Sequence, residues 1–147
     1  MKDVYEGKTI AVSGGFDPLH GGHLDMFEEA KKIVGPTGKL VVFVNSDDFL
    51  VQKKGKPFMV LSERMRIIAG LRVVDEVIAV IDTDNSVCQT LEKFRPDIFA
   101  NGGDRNKENI PEDAICTKFD ITMLFNIGGG KTQSSSVLLK NFLDASR

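Results

Sequence analysis

Short apolar runs and amphipathic segments alternate along the chain, and most of the apolar runs are followed by stretches rich in Gly, Asp or Asn. Residues 8–13 (KTIAVS) and 39–45 (KLVVFVN) are apolar and β-branched, which is typical of buried strands. The same reasoning predicts three further strands, at residues 76–81, 97–101 and 121–126.

Between these strands lie segments whose apolar residues recur every three or four positions, the spacing of one helix face. In residues 20–34, Leu24, Phe27 and Val34 share a face, and Gly35 follows directly after them. Further helices are predicted at residues 62–71 with Ser62 as the cap, at about 85–94, near 112–117 and at about 134–145.

Strands that alternate with helices predict a Rossmann-like α/β fold. We expect a single domain over residues 1–147, with an open, mainly parallel sheet and helices on both faces. Ligands of such sheets bind at the carboxyl ends of the strands. The loops predicted there would converge on one crevice; they are residues 14–20, 46–57, 102–107 and 127–134.

Composition narrows the class of protein. With 147 residues, of which 41% are hydrophobic and 27% charged, the chain has the size and balance of one globular domain. A formal net charge of -2 gives no long-range attraction to a polyanion, so we expect no nucleic-acid partner.

The cysteines and the apolar segments indicate a reducing, aqueous compartment. Cys88 and Cys116 are 28 positions apart and form no CxxC pair, which favours two thiols over a zinc site or a disulfide framework. The N-terminal residues lack the apolar stretch of a signal peptide, and the longest apolar run, residues 40–44, is too short to cross a bilayer. We therefore expect a cytoplasmic protein with no membrane partner.

Residues 13–27, SGGFDPLHGGHLDMF, join the first predicted strand to the first helix and carry the strongest chemical signal. Gly14 and Gly15 allow the backbone to approach a ligand closely. His20 and His23 are three positions apart at the helix N-terminus, so their side chains share one face. Backbone N–H groups, the helix dipole and two imidazoles together favour an anion, and the segment suits a polyphosphate.

These residues also resemble a known family. The HGGH of residues 20–23 is similar to the H-x-G-H motif of the cytidylyltransferase-like nucleotidyltransferase superfamily, and the preceding GGFDPL is similar to that family's loop. The resemblance implies that His20 and His23 contact the triphosphate and stabilise charge as the bond to pyrophosphate breaks. It makes Gly14, Gly15, Phe16 and Asp17 candidate nucleotide-binding residues. For Asp17, a buried structural carboxylate that holds the loop is an equal alternative.

Two further stretches resemble the same family. KKGKP at residues 53–57 is similar to the lysine-bearing loop that closes over the reacting phosphates, which makes Lys53 or Lys54 a charge-stabilising group. LSERMRIIAGLRVVDEVI at residues 61–78 is similar to a helix in which Arg64 would be a substrate phosphate ligand. Its RVVDEVI part resembles a dimer-interface segment, which implies a homodimer.

The last resemblances lie in the C-terminal half. KTQSSS at residues 131–136 aligns with an R-T-x-G-x-S motif that binds the triphosphate, but here a lysine stands where arginine is usual and Ser134 where glycine is usual. NGGDRN at residues 101–106 resembles a stretch that lies near the nucleotide base; an Asn- and Gly-rich turn is the alternative. The candidate nucleotide-binding residues from these two stretches are Gly103, Asp104, Arg105, Lys131, Thr132, Ser135 and Ser136.

These residues also have other interpretations. His20 and His23 are the only histidines in the chain and lie in a glycine-rich helix start, so a phosphate role ranks above a surface role, and a metal pair ranks last. Taken alone, the lysines of residues 53–57 would be a solvated turn. GGGKT at residues 128–132 is not a P-loop, because Phe125 stands where that pattern needs glycine.

The sequence therefore predicts transfer of a nucleotidyl group to a phosphorylated small molecule such as glycerol-3-phosphate or a sugar phosphate, with release of pyrophosphate. CTP is favoured as donor, ATP is the second choice, and Mg²⁺ is expected only as the metal of the triphosphate, with no protein metal site. RVVDEVI resembles glycerol-3-phosphate cytidylyltransferases, and PDIFANGGDR resembles the adenylyltransferase domain of ADP-heptose synthases. A non-catalytic nucleotide sensor and a dinucleotide-dependent oxidoreductase are the alternatives.

Overall fold

The strands form one five-stranded sheet in the computed structural model, which describes residues 4–102, 110–128 and 135–145. The elements in chain order are β1 (Thr9–Gly14), α1 (Gly21–Val34), β2 (Lys39–Val44), α2 (Asp47–Lys54), α3 (Leu61–Ala69), β3 (Glu76–Ala79), α4 (Cys88–Phe94), β4 (Ile98–Ala100), α5 (Asp113–Lys118), β5 (Thr122–Leu124) and α6 (Ser135–Ala145).

The sheet has the order β3-β2-β1-β4-β5, and its four pairings are all parallel. From β1 the chain proceeds outward through β2 to β3, and then returns to place β4 on the other side of β1. The strand order therefore reverses between β1 and β4, which is where open parallel sheets bind ligands. The predicted fold class is confirmed.

Both faces of the sheet are covered, because alternate residues of a strand point to opposite sides. Ile10 and Val12 of β1 pack with Phe27 of α1 and Ile68 of α3. On the other face, the neighbouring Ala11 packs in a cluster that contains residues of α4 and α5, among them Leu91 and Cys116. This double burial explains why the strands appear in the sequence as continuous apolar runs.

The predicted strands all occur, and those at 76–81, 97–101 and 121–126 are shorter than predicted by two or three residues. The helices differ from the prediction in two respects. The predicted loop 46–57 is wrong, since it contains α2, whose polar sequence buries only Leu50 and shows almost no amphipathic pattern. The helix predicted to begin with Ser62 as its cap instead has Val60 at that position, with no side-chain cap hydrogen bond. Ser46 provides such a cap one helix earlier, where its Oγ accepts the N–H of Phe49 at 3.1 Å.

None of the helices in the described ranges is long and apolar enough to span a membrane. The expectation that one domain covers residues 1–147 stays a prediction.

An ion pair links α1 to the connection before β3. Lys31 Nζ lies 2.7 Å from Asp75 Oδ2 and donates to the carbonyl of Gly38 at 2.8 Å. The same Asp75 oxygen accepts the N–H of Leu40 at 2.8 Å. Burial alone would raise the pKa of the Asp75 carboxyl, but the hydrogen bonds from Lys31 and Leu40 outweigh it and hold the pKa below its ordinary value of 3.8.

Asp75→Asn should lower the free energy of unfolding at pH 7 by about 1 kcal/mol, a modest value because the carboxylate is more than a third exposed. A lowered pKa means that the stabilisation exists above the unfolded-state pKa and is lost as the pH falls through the folded-state value. Urea unfolding of the wild type and of Asp75→Asn should therefore give free energies of unfolding whose difference shrinks below about pH 4. A difference that is constant from pH 7 to pH 3 would contradict this account.

Candidate active site

The site begins at the N-terminus of α1, where the side chains of two histidines each accept a backbone N–H and so cap the helix. His20 Nδ1 accepts the N–H of Gly22 at 3.1 Å, and the backbone N–H of His20 donates to Nδ1 of His23 at 3.1 Å. Their rings are stacked, with centroids 3.8 Å apart and planes inclined by 28°. The spacing of three residues in HGGH therefore satisfies backbone donors that the helix would otherwise leave without partners.

These hydrogen bonds assign the imidazole tautomer. A nitrogen that accepts a backbone N–H carries a lone pair, so the proton of each neutral ring lies on Nε2. His20 and His23 thus each have an Nε2–H donor on the side of the ring away from the helix cap. Two such donors beside the positive end of a helix dipole suit the oxygens of an anion.

Phe16 holds His23 from the side. Its ring centroid lies 5.0 Å from that of His23 and 5.3 Å from that of Phe27, both in edge-to-face geometry. The residue is buried and has a φ of 52°, a left-handed conformation. Gly14 makes this possible, because a Cβ there would lie 2.8 Å from the Phe16 ring.

Asp17 is a buried carboxylate that joins the β1–α1 loop to the segment after α2. Its oxygens accept the N–H groups of Phe58 and Met59, both at 2.6 Å. Lys54 Nζ lies 2.9 Å from Asp17 Oδ2 and also donates to the main-chain carbonyl of Asp17 at 2.5 Å. The structural alternative for Asp17 is therefore the one that these contacts support.

Arg64 is the largest of the fully buried side chains, with 1% of the residue exposed. Its Nε donates to the carbonyl of Met59 at 2.9 Å, and Nη1 donates to the carbonyls of Gly15 at 2.9 Å and Asn45 at 2.7 Å. Nη2 lies 2.8 Å from the carboxylate of Asp47. The structure thus gives Arg64 four protein acceptors behind the site, where the sequence predicts a phosphate ligand.

Lys53 and Lys54, the first two of the three lysines in the KKGKP stretch, occupy the last turn of α2. The following residues form a turn, with Gly55 at a φ of 95°. Lys53 is exposed, whereas the side chain of Lys54 is 19% exposed and paired with Asp17. Both nevertheless contribute to the same cleft as the histidines.

That cleft has a volume of about 190 Å³, enough for a polyphosphate group but small for a whole nucleotide. It brings together nine of the residues predicted from the sequence, which are Gly14, Gly15, Phe16, Asp17, His20, His23, Lys53, Lys54 and Ser135. Arg64 does not line it. Gly103, Asp104, Arg105, Lys131 and Thr132 lie outside the described residues, as does the side chain of Ser136.

Ser135 brings a second helix N-terminus to the cleft. It is the first residue of α6, and its Oγ donates to the carbonyl of Pro18 at 2.7 Å, across 117 positions of sequence. The starts of α1 and α6 are therefore both near the β1–α1 loop. Their N-terminal dipoles add to the positive character that the lysines provide.

Three residues of this region are missing from the sequence prediction. Leu50 lines the cleft from α2, while Asn45 and Asp47 accept hydrogen bonds from Arg64. The available signal was the polar run that begins at Asn45 directly after β2, with Ser46 as a helix cap and acidic residues in the first turn.

The cleft is a poor protein site for a metal ion. Its carboxylate, that of Asp17, already receives two backbone N–H groups and the Lys54 ammonium. Among the residues that the structure describes, no group of three His, Cys, Asp or Glu side chains could hold a metal. The donors that are present fit an anion.

A parallel sheet that carries paired histidines, lysines and two helix N-termini at one edge is suited to binding phosphate groups. The sequence profile of the cytidylyltransferase-like family matches residues 11–123, and the chain belongs to that family. The match includes most of β1, the histidine pair and Arg64, together with Lys53 and Lys54.

Individual relatives agree with this assignment. The chain is 37% identical to the FAD synthase of Methanopyrus kandleri over 100 residues, which are 68% of this chain and 65% of that protein. It is 39% identical to the bifunctional protein HldE of Blochmanniella floridana over 105 residues, 70% of this chain and 21% of that protein. The match thus spans just under two thirds of the first relative's length and about a fifth of the second's.

A solved structure has the same fold. The lipopolysaccharide core biosynthesis protein of Thermoplasma volcanium superposes with a TM-score of 0.63 at 28% identity, over 80% of this chain and 93% of that one.

Arg64→Lys should lower the free energy of unfolding by roughly 3 kcal/mol, because an ammonium cannot reach all the acceptors that the buried guanidinium serves. Arg66→Lys is the matched control, since Arg66 lies exposed on the same helix, and it should change stability by less than about 0.5 kcal/mol. Chemical denaturation measures both. A phosphate ligand at position 64 would instead give Arg64→Lys wild-type stability with weakened triphosphate binding.

Proposed function

We propose that the chain transfers a nucleotidyl group from a nucleoside triphosphate to the phosphate of a small molecule and releases pyrophosphate. The observation that carries the proposal is the His20/His23 pair, which caps the start of α1 and lines a cleft that also contains Lys53 and Ser135. Membership of the cytidylyltransferase-like family supports it.

Nucleotidyl transfer depends mainly on positioning the two substrates and on stabilising the charge that develops. An oxygen of the acceptor phosphate attacks the α-phosphorus in line and forms a new P–O bond. The bond between the α-phosphorus and the oxygen that bridges it to the β-phosphate breaks, and its electron pair leaves with pyrophosphate. Negative charge grows on the leaving group, so donors fixed in advance at that place lower the barrier. We assign this task to His20, His23 and Lys53, with Mg²⁺ arriving as the metal of the triphosphate substrate.

The relatives guide the choice of donor. FAD consists of FMN joined to an adenylyl group, so a FAD synthase carries out adenylyl transfer, and this makes ATP our proposed donor. CTP, which the sequence favours, stays a prediction for the same assay. FMN is the first acceptor to test, and sugar phosphates follow because of the similarity to a lipopolysaccharide core biosynthesis protein. A homodimer joined through residues 72–78 remains part of the proposal.

The test measures pyrophosphate release by the purified chain with ATP, CTP, UTP or GTP and Mg²⁺. Each donor is combined with FMN, glycerol-3-phosphate, sugar 1-phosphates and phosphocholine. Release with one pair, together with a product of the mass of the acceptor plus a nucleotidyl group, identifies both substrates. A triphosphate that binds without release with any acceptor would support a nucleotide sensor, and failure to bind any triphosphate would overturn the proposal.

Two substitutions of His23 separate catalysis from helix capping. In His23→Asn the side-chain oxygen can replace Nδ1 as acceptor for the His20 N–H, but the Nε2–H donor is lost. We expect kcat/KM to fall by about 100-fold or more with little change in melting temperature.

His23→Ala is the counterpart, because it removes both the Nε2–H donor and the acceptor that caps His20 N–H. It should be about as inactive as His23→Asn and melt at a lower temperature. Activity that is retained in His23→Asn and lost only in His23→Ala would show that His23 acts only as a cap.

A further inference from the structure

The negative charge of the Asp17 carboxylate opposes binding of a phosphate group in the cleft. This carboxylate is 1% exposed and lines the cleft that we assign to phosphate. A buried negative charge next to a polyphosphate is unfavourable, because repulsion is strong where water is excluded. The loop nevertheless depends on this carboxylate, which accepts the N–H groups of Phe58 and Met59.

The ammonium of Lys54 forms an ion pair with this carboxylate. The ammonium lies 2.9 Å from the carboxylate and 2.5 Å from the carbonyl of the same residue, so it is held at two points. If Lys54 moved to a substrate phosphate, Asp17 would remain buried and negative beside a ligand of the same sign. Removing one partner of a buried ion pair is strongly unfavourable.

We propose that Lys54 is a positioning residue that neutralises Asp17, and that Lys53 is the lysine of α2 that contacts the phosphates. Lys53 is one residue away in the same helix turn, is exposed and lines the same cleft. Asp17 and Lys54 also hold the two ends of the turn at residues 55–57, since the carboxylate binds Lys54 before it and Phe58 after it. The pair therefore fixes the end of α2 against the β1–α1 loop and leaves the cleft with a net positive lining.

This inference rests on the proposed function only in requiring that the cleft binds a polyphosphate. Inorganic tripolyphosphate is therefore a suitable probe, because its binding by calorimetry needs neither an acceptor nor turnover. Lys54→Met should weaken tripolyphosphate binding by about tenfold or more, because it leaves the Asp17 charge unpaired in the cleft. Adding Asp17→Asn should then restore the affinity by at least about threefold, since the repulsive charge is gone.

Asp17→Asn is also combined with Lys53→Met, for comparison with the Lys54→Met background. Lys53→Met should also weaken binding by about tenfold, and Asp17→Asn should restore less affinity here than in the Lys54→Met background, because Lys54 still neutralises Asp17 in Lys53→Met. Lys56→Met is the matched control: it removes an equal charge from the exposed turn and should bind tripolyphosphate within about twofold of wild type.

Folding of the variants is checked by thermal melting without ligand. A Lys54→Met protein that unfolds and regains its fold with Asp17→Asn would support the inference, since the unpaired carboxylate would be the cause. If neither folds, Asp17→Asn alone decides: it should bind tripolyphosphate at least as tightly as wild type.

Losses that are additive for positions 17 and 54, or weaker binding by Asp17→Asn alone, would overturn the inference. Wild-type protein that binds tripolyphosphate, shows the rescue, but turns over no substrate pair would refute the proposed function and leave this assignment standing.

Discussion

The guanidinium of Arg64 is the contact on which the geometry of the cleft depends. It donates to the carbonyls of Gly15, Asn45 and Met59 and pairs with Asp47, so it connects the ends of β1 and β2, the start of α2 and the segment before α3. Parallel strands bring these segments to one edge of the sheet but leave their carbonyls without partners there. A single planar group with several fixed donors satisfies them together, which a lysine could not do.

The cleft in front of this contact combines rigidity with positive charge. His20 and His23 use their Nδ1 atoms to cap α1, and that fixes both the tautomer and the direction of the rings. Phe16 supports the second ring, and α6 begins at the same place through Ser135. Groups held in this way need no rearrangement when charge develops on a leaving group, which is the condition for effective electrostatic catalysis.

Much of this arrangement could be predicted from sequence. The strands and five of the helices follow from hydrophobic period, and the histidine pair follows from its glycine-rich position after a strand. The sequence does not predict helix α2, because its residues are mostly polar and only Leu50 is buried. Its apolar residues therefore show no helical periodicity. The sequence predicts a phosphate ligand at Arg64, and the structure gives its guanidinium four protein acceptors. An arginine near a phosphate-binding loop has the same local sequence whether it faces the ligand or the carbonyls behind it.

The amino-acid sequence by itself determined the α/β class, the edge of the sheet that carries the site, and the donor types present there, because these depend on period and on residue chemistry. Only the tertiary structure decided which donor faces which acceptor. Lys53 and Lys54 are adjacent and chemically identical, yet one pairs with a carboxylate 37 positions away while the other lies exposed in the cleft. That distinction arises from where β1 and α2 end relative to each other, a property of the packed fold that no local pattern contains.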